Sequence, residues 1–213
     1  MVDIILENIR FSGYILSATL IPLATAILGR KLFKEKSATG AFNPIKVITF
    51  TIFACFSIMS VLEFIVEMNW FPLLNAIFGY NIESVNLYSI LIGTMVSLGL
   101  TLIFYANRWE VLYYTALMFF GGMVLFYYYT GFDAWLQGYI YIAGGCSLLF
   151  MYLTSFRIKD NGAIGLAIFY TLVFSTLLLS APYVTQIIIL IYNGFILIFS
   201  LGFFKPFKQE VVE

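Results

Sequence analysis

Long apolar stretches separated by short polar breaks set the pattern of this chain. A helix needs about 20 apolar residues to cross the hydrocarbon core of a bilayer. Seven stretches meet or approach that length: 11–28, 47–66, 87–106, 111–129, 136–156, 163–181 and 183–204. The breaks carry turn chemistry. Asn43-Pro44 leads into the second stretch, and Asn107-Arg108 divides the third from the fourth. Thr130-Gly131 with Asp133 follows the fourth, and Asp160-Asn161-Gly162 follows the fifth. Ser180-Ala181-Pro182 is the weakest break. Ser can cap a helix there and Pro suits its first turn. Read as one helix, 163–204 would reach about 60 Å, twice the hydrocarbon core, so a turn is the better reading. The pattern predicts an all-α membrane protein, one domain forming a seven-transmembrane helical bundle.

Charge adds an orientation. Arg30, Lys31, Lys34, Lys36 and Lys46 lie in the first connection and Arg108 in the third. Arg157 and Lys159 lie in the fifth, Lys205 and Lys208 in the tail. Of the 11 Lys and Arg, only Arg10 then falls on the other side of a seven-span chain. Cytoplasmic connections carry the excess of Lys and Arg. The expected arrangement is a multi-pass protein of the cell membrane, with its N-terminus outside and its C-terminus cytoplasmic. The basic first connection should touch anionic headgroups. The outer connection 67–86 is long and carries Trp70, Phe71, Leu73, Leu74, Ile77 and Phe78. It reads as an interfacial helix or hairpin on the outer leaflet, with a lid over an outward-facing cavity as the alternative.

Composition narrows the chemistry. Apolar residues make up 62% and charged ones 10%, against about a quarter charged in a soluble domain. Mean hydropathy is +0.98. The solvent for most of the chain must be lipid. Zero net charge leaves no electrostatic footprint for nucleic acid. The absence of His excludes His-ligated metals, His-bound haem and His general bases. No cofactor and no metal site is expected. Cys55 and Cys146 lie inside apolar stretches and read as small packing residues. Asp3 and Glu7 precede the first stretch where a signal peptide would carry basic residues, so no cleavable signal is expected. No lipidation motif is expected at either end.

Polar residues inside the stretches are the candidates for function. Glu63 is the one charged residue within any of them, near the outer end of the second, with Glu67 a turn further on. It reads as a carboxylate reaching the headgroups, paired with Arg10, or as an entry site for a cation or proton. The seventh stretch carries Gln186, Asn193 and Ser200 on one face, with Tyr192 adjoining. The third carries Thr94, Ser97 and Thr101; the fifth carries Gln137, Tyr141 and Gly145. Such stripes face the bundle, where they bond helix to helix or line a pocket. The candidate ligand pocket is Glu63, Gln137, Tyr141, Gln186, Tyr192 and Asn193, with Glu63 at its outer mouth. Gly121-Gly122 and Gly144-Gly145 predict close packing of the fourth helix on the fifth, and Pro22 predicts a kink in the first. Tyr113, Tyr114 and Tyr127 to Tyr129 suit the aromatic belts at the two interfaces.

The layout resembles that of the microbial rhodopsins, which are seven-helix bundles with the N-terminus outside, a long outer loop between helices two and three, and short loops from three to six. The resemblance is one of layout over nearly the whole chain and carries no motif. The retinal-binding lysine would lie in the middle of helix seven, where this chain has none; Lys205 lies past its end. The charged residues of helix three are missing too, so retinal chemistry is not implied. A transporter or channel-like protein for a neutral or weakly polar small molecule is the first expectation. A retinal-free, rhodopsin-like sensor or an accessory subunit is the alternative. The expected partners are the bilayer, a small ligand and a membrane protein or second copy. With no His and no carboxylate pair at depth, an intramembrane enzyme is the weakest reading.

Overall fold

The computed structural model describes residues 2–68, 70, 87–131, 134–178 and 182–202. Among these residues there are seven α-helices and no strand. They are α1 (Val2–Thr39), α2 (Pro44–Glu67), α3 (Leu87–Ala106), α4 (Tyr113–Thr130), α5 (Ala134–Ile158), α6 (Asn161–Leu178) and α7 (Pro182–Leu201). A 3-10 turn, Glu110–Leu112, leads into α4. Five helical segments are long and apolar enough to cross a membrane: Phe11–Thr39, Pro44–Val66, Glu110–Thr130, Ala134–Ile158 and Val184–Leu201. Ile90–Ala106 and Asn161–Thr176 are shorter apolar helices. Most of the outer connection expected to lie at the interface falls outside the described residues. Trp70 is described, and it packs edge-on against Phe64 at 5.7 Å.

α1 runs far beyond the apolar stretch 11–28. It continues through Pro22 as one helix and on to Thr39, about 57 Å at 1.5 Å per residue. The basic segment expected as a loop is therefore helical. Arg, Lys, Leu, Glu and Ala are good helix formers, and no Gly or Pro intervenes between Arg30 and Thr39. Gly40 takes a positive φ of 77° and its N–H bonds to the Lys36 carbonyl at 2.8 Å, which ends the helix. Three residues later Asn43 caps α2, its Oδ1 accepting from the Ile45 N–H at 3.0 Å, with Pro44 in the first turn.

Side-chain contacts fix the helix directions. Thr25 donates to the Phe53 carbonyl and Glu35 pairs with Lys46, so α1 and α2 run antiparallel. Ser97 donates to the Ala116 carbonyl while Tyr105 stacks on Tyr113, so α3 and α4 are antiparallel. Val96 meets Gly144 and Asn107 donates to Thr154, so α3 and α5 are parallel. Tyr141 meets Phe174 and Tyr152 bonds Thr171, so α5 and α6 are antiparallel. Gly13 meets Gln186 and Lys31 donates to the Ser200 carbonyl, so α1 and α7 are parallel.

The helices α1, α2, α3, α5, α6 and α7 follow one another around a closed ring, and α4 packs outside it on α3 and α5. Aromatic rings from α2, α6 and α7 plug the centre. Phe53 stacks on Phe169 and Phe199 at 5.3 and 5.2 Å, and Phe56 meets Phe169 and Tyr192 edge-on at 5.2 and 5.6 Å. Each such pair contributes about 0.5–1.5 kcal/mol beyond simple burial.

The paired glycines bring α4 and α5 together at Gly122, where Tyr139 of α5 enters, and not at Gly121, Gly144 or Gly145. Gly122 makes room for the Tyr139 hydroxyl, 2.9 Å from where a Cβ would stand, and Gly144 makes room for Phe174 of α6. Gly121 and Gly145 face open space. In each pair one glycine admits a ring while its neighbour, a helical step round, looks away.

Candidate functional site

The α7 stripe faces the bundle. Gln186 is 9% exposed, Asn193 2% and Ser200 1%, and Tyr192 is buried with them. Their neighbour across the seam is α1. Asn193 donates from Nδ2 to the Ser17 hydroxyl at 2.8 Å, and the same hydroxyl lies 3.4 Å from the Tyr192 hydroxyl. One turn toward the N-terminus of α1, the Gln186 Oε1 rests against Gly13, 3.3 Å from where a Cβ would stand. Gly13 and Ser17 form a small-xxx-small pair, which lets α7 approach closely. Glu63 of α2 and Tyr14 of α1 lie within electrostatic reach of the Tyr192 hydroxyl. Residues from α1, α2 and α7 thus meet at one junction.

Two polar atoms at this seam have no protein partner among the described residues: Gln186 Oε1 and Asn193 Oδ1, both buried. They stand seven residues apart on α7, about 10 Å along its axis. Turning the Asn193 amide over would hand its oxygen to Ser17 and strand its nitrogen instead, so one amide atom is orphaned either way. Between the two levels lies buried Ile189. The seam alternates a polar level, an apolar one and a second polar level. At the far end Lys31 closes it, donating from Nζ to the Ser200 carbonyl at 2.7 Å and so capping the last turn of α7.

The six candidate pocket residues divide into two groups. Glu63, Gln186, Tyr192 and Asn193 share the α1/α2/α7 junction. Gln137 and Tyr141 lie on α5, with α6 standing between α5 and α7. There Gln137 donates from Nε2 to the Tyr141 hydroxyl at 2.8 Å, and the Tyr141 ring meets Phe174 of α6 edge-on. The α3 stripe bonds locally: Thr94 and Thr101 donate to carbonyls one turn back, and Ser97 crosses to Ala116 of α4. The pairing of Glu63 with Arg10 involves a side chain outside the described ones.

Ser17 and Gly13 are absent from the candidate set, because a lone Ser in an apolar run signals little. The small-xxx-small spacing was the sign available. A concavity lies between α3, α4 and α5, lined by Ile90, Met123, Val124, Tyr127, Leu136 and Ile140, with about 60 Å³ of space. Its lining suits methylene groups, not a polar solute. Among the described residues no group of Cys, Asp and Glu is gathered to hold a metal ion.

Comparison with protein-family models, with curated proteins and with solved structures finds no match to this chain.

Proposed function

We propose that the protein is a small transporter of the cell membrane that takes a neutral or weakly polar molecule at the α1/α2/α7 junction. In this reading the chain spans the membrane seven times, N-terminus outside and C-terminus cytoplasmic. The alternating helix directions support an odd number of crossings. The ends carrying Lys36, Lys46, Arg108 and Arg157 lie together at one end of the bundle, which supports the orientation.

The observation that carries the function is the pair of stranded amide atoms on α7. Each unpaired buried polar group costs about 1–3 kcal/mol, and lipid offers it no partner. A solute or its accompanying water supplies what is missing. Gln186 Oε1 asks for a donor, so a molecule with N–H or O–H groups fits. Anions are disfavoured, since the Glu63 carboxylate lies within electrostatic reach of Tyr192 and no basic residue lies inside the seven apolar stretches. The aromatic plug beside the seam favours a carrier that opens and closes over a standing pore.

The test uses the purified chain in lipid vesicles, with urea and glycerol as neutral donor-bearing probes and shrinkage followed by light scattering. At least one probe should cross severalfold faster than in protein-free vesicles. Gln186→Leu and Asn193→Leu should each abolish most of that gain, while Glu63→Gln should leave it. Rates equal to those of empty vesicles for both probes would sink the reading. The alternative, a receptor-like module or accessory subunit, draws on α4, which lies outside the ring with Met118 75% exposed and Tyr114, Tyr128 and Tyr129 likewise bare. It predicts no flux and a stable oligomer that substitutions on this face of α4 dissolve.

A further inference from the structure

The hairpin joining α1 to α2 carries chemistry that the transport reading does not use. α1 continues eleven residues past Leu28, the last of its apolar stretch, which is about 16 Å. Phe33 stands about 7.5 Å past that boundary, the depth of the headgroup layer, where aromatic rings are favoured. It is 61% exposed, and Phe42, across the turn, is 39% exposed. Their rings meet edge-on at 5.9 Å, and the Lys36 ammonium sits 4.2 Å over the Phe42 ring. Arg30, Phe33 and Lys34 share one side of the helix, and all three are exposed. The Glu35 carboxylate is engaged by Lys46. Among the described residues no ion pair involves Arg30, Lys34 or Lys36. The tip is also fixed by contacts on both of its helices. Gly29 admits Phe50 of α2, the turn at Gly40 ends α1, and Asn43 caps α2.

We propose that this tip is a docking site for anionic phospholipid headgroups. Phe33 and Phe42 enter the headgroup layer, and Arg30, Lys34 and Lys36 meet its phosphates. The argument is charge complementarity at a fixed depth: three uncompensated cations surround two exposed rings that water would not favour. Each basic residue near an anionic surface strengthens binding about fivefold, and the folded hairpin presents them without the cost of ordering its backbone. The proposal does not rest on transport or on which side faces the cytoplasm, because a nanodisc presents the same lipid on both faces.

The experiment is hydrogen exchange of residues 30–43 in the full chain, held in nanodiscs of phosphatidylcholine or of phosphatidylcholine with about a third phosphatidylglycerol. Exchange at the tip should slow severalfold with the anionic lipid, and high salt should erase the difference. Lys34→Gln with Lys36→Gln should lose the lipid-specific slowing. Phe33→Ala with Phe42→Ala should speed exchange in both compositions. Equal exchange of the unaltered chain in the two nanodiscs would overturn the proposal and leave the patch to an acidic protein segment. Slowing by inorganic phosphate in phosphatidylcholine alone would also overturn it, reducing the tip to a general anion site.

Discussion

At the residue scale the seam poses a balance of two terms. The bond from Asn193 to Ser17 gives little, since interhelical hydrogen bonds in membranes average about 0.6 kcal/mol. The stranded atom of the same amide costs more, about 1–3 kcal/mol. Asn193→Leu with Ser17→Ala removes both terms, keeps the side-chain branching at position 193, and gives up only the long 3.4 Å contact of Ser17 with Tyr192. We predict that this double variant unfolds at the same temperature as the unaltered chain or a few degrees higher, by Trp fluorescence in detergent. If Asn193 served only to hold α7 on α1, its loss would lower the midpoint. The polar face of α7 was legible because Gln186, Asn193 and Ser200 repeat every seven residues. Its partner was not. Periodicity tells which face turns inward and says nothing of which helix stands opposite, so the α5 stripe looked equivalent. Gln137 and Tyr141 instead satisfy each other at the four-residue spacing.

At the scale of elements, hydropathy and helix length came apart. The apolar stretch 11–28 marks where α1 meets lipid, but a helix ends where its backbone bonding is broken. Gly40 does that, and Lys34 or Lys36 does not. α4 docks on α5 through Gly122, as its glycine pair suggests, and on α3 through Gly93, which lies outside the pairs. A Cβ at Gly93 would stand 1.8 Å from the Met123 sulfur. Met is adaptable and this one lines the concavity between α3, α4 and α5, but it is 2% exposed, so its thioether can shift there only by giving up buried packing. Gly93→Ala should therefore cost about 1–3 kcal/mol by overpacking. Met123→Ala alone should be destabilising through the cavity it leaves, but combined with Gly93→Ala it should cost clearly less than the two separate losses added together. Thermal midpoints of the four chains make the cycle. Additive losses would mean that α3 and α4 do not depend on this contact.

At the scale of the molecule, the ring and the sidedness depend on each other. α1 and α7 close the ring as parallel neighbours, which a chain crossing the membrane an odd number of times can achieve. An even number would set them antiparallel and pull Lys31 away from Ser200. The basic residues then sort to one end without further assumption. Both native thiols lie inside helices, Cys55 buried and Cys146 on the outer face of α5, so replacing them by Ala gives a clean background. In that background Ser37→Cys, at the hairpin tip, and Asn161→Cys, at the start of α6, should resist a membrane-impermeant maleimide on intact cells and label after lysis. Thr130→Cys, at the end of α4, should label on intact cells. All three reversed would turn the bundle over while keeping seven spans. Ser37 and Asn161 labelling from opposite sides would break the count itself, because the helices between them would no longer pair off. With Ser37 and Asn161 inside, Gln186 is the outer of the two stranded amides and Asn193 the deeper. A solute entering from outside would then meet Gln186 and Glu63 before it reached Asn193 and Ser17.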